Sequence, residues 1–128
     1  MNKYGVLACK AVASCRKGVE PRDAWALHAK EIFFDQEASQ KKGCPRGAFL
    51  GLAEEGLLVG VKPGNYTNSK KNKAYAIKAC AILSENEALV DSPRKLWAMV
   101  MDGEEKQPNQ QMEVVTSLWK HGLIVRVT

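Results

Sequence analysis

The sequence predicts a mainly α fold, built from two degenerate repeats of three helices and one short strand and packed as one domain. Three matched segments predict it. Tyr4, Val6, Ala8 and Cys9 return as Tyr75, Ile77, Ala79 and Cys80, 71 positions on. The run Pro21-Arg22-x-x-Trp25-Ala26-Leu27 returns as Pro93-Arg94-x-x-Trp97-Ala98-Met99, 72 positions on. Leu52-x-x-x-Gly56-Leu57-Leu58-Val59-x-Val61 returns as Leu118-x-x-x-Gly122-Leu123-Ile124-Val125-x-Val127, 66 positions on. The matches keep one order and place the repeats at about 3–62 and 70–128. Convergent helix grammar is the competing explanation.

Each element has a local cause. From about Lys3 to Arg16, Val6, Leu7, Cys9 and Ala13 recur at helical spacing, and Gly18 ends the run. Pro21 suits the first turn of a second helix, where Asp23 complements the positive end. There Trp25, Ala29, Ile32 and Phe33 fall on one face. A polar stretch, Asp35 to Gly43, breaks the pattern. Pro45 opens a third helix carrying Phe49, Leu52 and Ala53, with Gly56 as its left-handed stop. Leu57 to Val61 reads as a short strand, and Pro63-Gly64 as a tight turn with positive φ at Gly64.

The second half follows the same plan. Thr67 or Ser69 caps a helix from about Lys70 to Leu83, and another follows Ser92-Pro93 to Met101. After a polar linker, Glu104 to Asn109, a last helix to His121 carries Met112, Val115, Leu118 and Trp119, and leads into a strand over Leu123 to Val127. Two lone strands leave backbone groups unpaired unless they meet, so a small two-stranded β element is expected. Two independent domains of about 60 residues would each have a marginal core.

Composition narrows the function classes. No apolar run reaches the roughly 18–20 residues of a membrane helix, and the start lacks a signal-peptide pattern, so a cytoplasmic protein with no membrane contact is expected. Cys9, Cys15, Cys44 and Cys80 form no CxxC pair and only two histidines are present, which argues against a zinc site or a redox dithiol. No phosphate-loop or GxGxxG pattern appears, and no paired carboxylates flanked by an aromatic cleft. Neither a cofactor nor a catalytic constellation is indicated. Cys44, at a helix start, is the one nucleophile candidate.

The net charge of +5 resides between residues 41 and 73, where Lys41, Lys42, Arg46, Lys62, Lys70, Lys71 and Lys73 face only Glu54 and Glu55. Such a block suits an anionic partner, and equally a solvated lysine-rich loop. Lys41, Lys42 and Gly43 precede one helix start, beside Arg46; Asn65, Tyr66, Ser69, Lys70 and Lys71 gather at another. Helix N-termini bind phosphates and carboxylates, amides and hydroxyls grip phosphate oxygens, and a tyrosine stacks on bases. These residues make a phosphate-rich partner, with nucleic acid as one form of it, the leading expectation for a non-enzymatic binding module. Gly47 and Gly51, one helical turn apart, give the alternative of a smooth face for a protein partner, or for close packing within the chain. A helix-turn-helix-like reading of the halves assigns base contacts to Gln110, Gln111, Glu113, Ser117 and Lys120.

The blocks KGCPRGAFLGLAEEG and PGNYTNSKKNKAYA resemble a family of small bacterial proteins of unknown function, through the motifs KGCP-x-x-AFLGL-x-EEG and PG-x-YT-x-SKKNK-x-YA. The resemblance extends to the tryptophan-bearing and C-terminal segments. It implies a helical domain of cytosolic bacterial origin and lends no activity.

Overall fold

The structure, a computed structural model, describes residues 2–126. It is mainly helical. In order come α1 (Lys3–Cys15), α2 (Pro21–Ile32), a single turn α3 (Glu37–Gln40), α4 (Gly43–Glu54), α5 (Lys70–Glu85), a 3-10 helix (Glu87–Asp91), α6 (Pro93–Met101) and α7 (Gln111–Lys120). The single turn and the 3-10 helix are additions to the sequence reading. Neither buries any residue, so neither carries the apolar periodicity that marks a helix in sequence.

Three helix starts are capped by side chains. The Asn2 side chain accepts from the Tyr4 and Gly5 N–H groups, Glu20 accepts from Arg22 N–H, and Ser92 accepts from Lys95 N–H. Pro21 and Pro93 occupy the first turns of α2 and α6. The ends of α4 and α7 are alike. Gly56 and Gly122 take left-handed φ of 74° and 68°. Leu57 N–H then donates to Leu52 C=O at 3.0 Å, and Leu123 N–H to Leu118 C=O at 2.9 Å. These are Schellman closures, which satisfy the last carbonyls of each helix and send both chains out at the same angle.

The two segments leaving these closures form less than a pair of strands. Leu58 and Ile124 make an isolated antiparallel bridge, with Val59 N–H donating to Leu123 C=O at 2.9 Å and Val125 N–H to Leu57 C=O at 2.8 Å. Gly60 turns the first segment away at φ 76°, so pairing stops after one bridge. Among the described residues there is no strand; Val127, part of the expected second strand, lies outside them. The expected positive φ at Gly64 is also absent. That residue is constrained differently: a Cβ there would stand 2.9 Å from the Tyr66 ring.

α4 and α7 form the centre. Every residue of α4 from Pro45 to Ala53 except Arg46 is buried, and eight of the ten residues of α7 are. α1 packs on α2 and on α7, while α5 packs on α6 and on α4, so the first helix of each half leans on the third helix of the other. Phe49, Leu50, Leu52 and Leu118 are fully buried, each contributing about 1.5–3 kcal/mol from burial. Two crossings are tight enough to demand glycine. A Cβ on Gly51 would lie 2.7 Å from the Lys73 Cα, and one on Gly5 would lie 2.7 Å from the Ser117 Cβ.

This interior position corrects two expectations. The Gly47/Gly51 stripe is not an open face for a protein partner, because α5 covers it: Gly47 meets Ser69 and Asn72, and Gly51 meets Lys73. Nor does α7 present a recognition surface. Gln111 is fully buried and Ser117 nearly so, leaving Lys120 the only exposed member of the proposed set on the helix itself. Helix-turn-helix readout needs an exposed third helix, and both third helices here are interior.

Candidate functional site

The main concavity is an open groove of about 1060 Å³. It is lined by the first half of α4 and Glu54 at its end, by residues 65–69 of the strap 62–69, by the first turns of α5 and by Arg22 of α2. Gly43, Arg46, Gly47, Asn65, Tyr66, Ser69 and Lys70 line it, so the two sequence blocks meet in space. Lys41, Lys42, Gly51 and Lys71 do not line it. The Lys41 ammonium pairs with Glu37 at 2.6 Å, Lys42 stands 5.7 Å over the Tyr4 ring, Gly51 is under Lys73, and Lys71 is exposed elsewhere on the turn. The linear block of positive charge is thus dispersed by folding.

Arg22, Cys44, Glu54, Thr67, Asn68, Asn72, Lys73, Ala74 and Ile77 also line the groove and were not in the predicted set. Lys73 and Glu54 had a signal, since both sit in the basic block, but their pairing spans 19 positions between two helices. Arg22 comes from a helix remote in sequence and had none.

Charge in the groove is one-sided. Arg22, Arg46, Lys70 and Lys73 line it with one carboxylate, Glu54, which is fully engaged, and Arg22 is itself paired with Glu20 at 2.9 Å. The Glu54 oxygens accept from Tyr66 N–H at 2.7 Å, Thr67 N–H at 3.2 Å and the Lys73 ammonium at 2.7 Å. The Lys73 hydrogen bond, followed by the Tyr66 amide, holds the Glu54 carboxyl well below its ordinary value, at about 2. Lys73 is raised by the same bond and by Glu55 at 2.7 Å. Arg46 and Lys70 have no carboxylate partner among the described residues.

Two helices begin at the groove, and neither has a side-chain cap. At α5 the reason is visible. Thr67 Oγ1 accepts from Ser69 N–H at 3.0 Å, and Ser69 Oγ accepts from the Asn72 amide at 2.8 Å, so neither expected cap reaches the helix amides. Asn72 in turn accepts from the buried Gln111 at 3.2 Å, and Gln111 accepts from Asn109 N–H at 2.6 Å. This relay fixes Ser69 with its hydroxyl proton still to give. The accessible polar groups therefore lean toward donors, the arrangement that favours an oxyanion over a cation or a neutral sugar.

Nucleophile chemistry finds less support. Cys44 lines the groove half-buried, yet no histidine lines it. Burial pushes Cys9 and Cys15 up to about 11 and Cys80 to about 12, so these thiols stay protonated and unreactive. Elsewhere, Ser14 Oγ lies 2.6 Å from His28 Nε2, and His28 Nδ1 lies 2.5 Å from Glu31. That connectivity resembles a nucleophile relay. However, none of the three lines the groove, and Ser14 sits at the C-terminal end of α1, whose negative pole opposes an alkoxide. The Ser14–His28 bond ties α1 to α2 across 14 positions of sequence. His121 contacts the Ser117 carbonyl at 2.8 Å near the end of α7.

No helix of the described residues is long and apolar enough to cross a membrane. Comparison with curated proteins and with solved structures finds no match. A family model does match, over residues 1–125, and its description is a family of unknown function (DUF6979). The match spans nearly the whole chain, from α1 through the Leu58–Ile124 bridge, and the chain belongs to this family.

Proposed function

We propose that the protein is a cytoplasmic, non-enzymatic binding module whose groove takes a phosphate-bearing partner, with nucleic acid as the polymeric form. The observation that carries this is the convergence of unpaired Arg46 and Lys70 with two uncapped helix starts, where the one carboxylate is already committed. The groove is long and open, which suits a chain of phosphates better than an enclosed metabolite. Binding of a labelled single-stranded oligonucleotide tests it. Affinity falls steeply with salt, and Arg46→Ala or Lys70→Ala weakens binding and flattens the salt slope by about 0.7 each. An absence of binding at low salt overturns the proposal.

For the fold we propose one domain of two degenerate repeats. The Pro21/Pro93 starts, the Gly56/Gly122 closures and the crossed packing of α1 on α7 and α5 on α4 support it. The groove then belongs to the first repeat and the junction. Sixty-six positions on, Gly47 and Gly51 correspond to Glu113 and Ser117, and Glu54 to Lys120.

A further inference from the structure

We infer that Glu54 is a positioning residue that latches the strap of residues 62–69 in place as one wall of the groove. This rests on the binding function proposed above and adds what holds that site in shape.

Apart from Glu54, the strap is held by the Asn72 bond to Ser69 and by the Tyr66 ring packed against the core. It contains no regular structure, and Lys62 to Asn65 and Asn68 are exposed. Glu54 reaches it twice. The backbone carbonyl accepts from Gly64 N–H at 3.2 Å, and the carboxylate accepts from both Tyr66 and Thr67 N–H. Lys73 of α5 closes the arrangement from the other side. One side chain thus joins the end of α4, the strap and the start of α5. Tyr66 and Thr67 would have no other acceptor for these amides in the structure. Within the strap, Tyr66 OH donates to Lys62 C=O at 2.7 Å and its ring fills the space beside Gly64, which ties the segment to itself.

The placement of Glu54 also has a cost that points to this role. A carboxylate in the last turn of a helix faces the negative pole, and α4 has no acid in its first turn to compensate. The Glu54 side chain is only 13% exposed, although hydration would favour it outside. A desolvated anion at a helix C-terminus is retained where its partners are specific, here two amides and an ammonium.

The test combines amide hydrogen exchange with binding of inorganic pyrophosphate by calorimetry, in the full chain and in Glu54→Ala and Glu54→Gln. Glu54→Ala should raise exchange at Tyr66 and Thr67 by about ten- to a hundredfold, the range for lost charge-assisted hydrogen bonds. Pyrophosphate binding should weaken severalfold in step. Glu54→Gln keeps an acceptor for the amides and loses the charge, so it should show a smaller change at the same two amides. Unchanged protection in Glu54→Ala overturns the latch. Exchange rising evenly along the whole chain in both variants overturns it too, by showing a general stability effect. Loosened amides with unchanged pyrophosphate binding overturn the positioning role. Failure of the wild-type protein to bind pyrophosphate removes the binding function itself, and Glu54 then fastens a loop and positions nothing.

Discussion

Glu54 shows how one residue links charge to stability. Its carboxyl lies at about 2, against an ordinary 4.5, chiefly through Lys73. A depressed carboxyl stabilises the fold above its unfolded value and loses that contribution as pH falls towards its folded value. Lys73, raised from 10.5, contributes fully below that value and loses it as pH rises further. The pair therefore acts fully between about pH 4.5 and 10.5. Denaturant titrations should show stability falling by on the order of 2–3 kcal/mol from pH 4.5 to 2 through this site. Glu54→Gln should be less stable at neutral pH and flatter over that range. A variant with the wild-type acid slope would show that the slope arises elsewhere. In sequence Glu54 is one of two acids within the basic block. Its acidity was legible but its partners were not, because strap and lysine reach it only once α4 and α5 cross at Gly51.

At the level of elements, the helices were the most legible part, for physical reasons that repeat. Proline fixes a start, as at Pro21 and Pro93, glycine at positive φ fixes a stop, as at Gly56 and Gly122, and apolar residues at helical spacing fill the interval. The strands were overread. Leu57 to Val61 has the composition of a strand, but Gly60 bends it after a single bridge, and β-branched residues alone cannot report that. The glycines also had two meanings. Gly56 needs its φ, while Gly5 and Gly51 need their missing side chains for close crossings. The α1–α7 crossing gives a test. Gly5→Ala brings a Cβ within 2.7 Å of the Ser117 Cβ, which no rotamer change relieves. It should cost about 1–3 kcal/mol. Ser117→Gly added to it should recover part of that loss, although a helix-interior glycine costs about 1 kcal/mol alone. Simple additivity in chemical denaturation would show that the two helices do not meet there.

For the whole molecule, the crossed packing decides how the chain can be divided. α1 buries its face on α2 and α7, and α5 on α6 and α4, so separating the halves strips the third helices of their main cover. Fragments 1–66 and 67–128 should each lack cooperative unfolding, and mixing them should restore helical circular dichroism. A half that folds alone would contradict the proposed single domain. Folding also redistributes charge. The basic block was legible in sequence, yet its lysines part company: Lys41 pairs with Glu37, Lys73 is bound by two glutamates, Lys71 points away, and Arg22 joins from α2. The proposed binding function then rests on Arg46 and Lys70, beside two helix starts.

That selection is best measured by comparing Lys70→Ala with Lys71→Ala, neighbours of equal charge of which only the first lines the groove. With a single-stranded oligonucleotide at fixed low salt, Lys70→Ala should lower affinity about five- to tenfold, in line with loss of one phosphate contact, and Lys71→Ala should lower it less than about twofold. Equal losses in the two variants would mean that diffuse positive charge attracts the ligand, and would contradict a binding site in the groove.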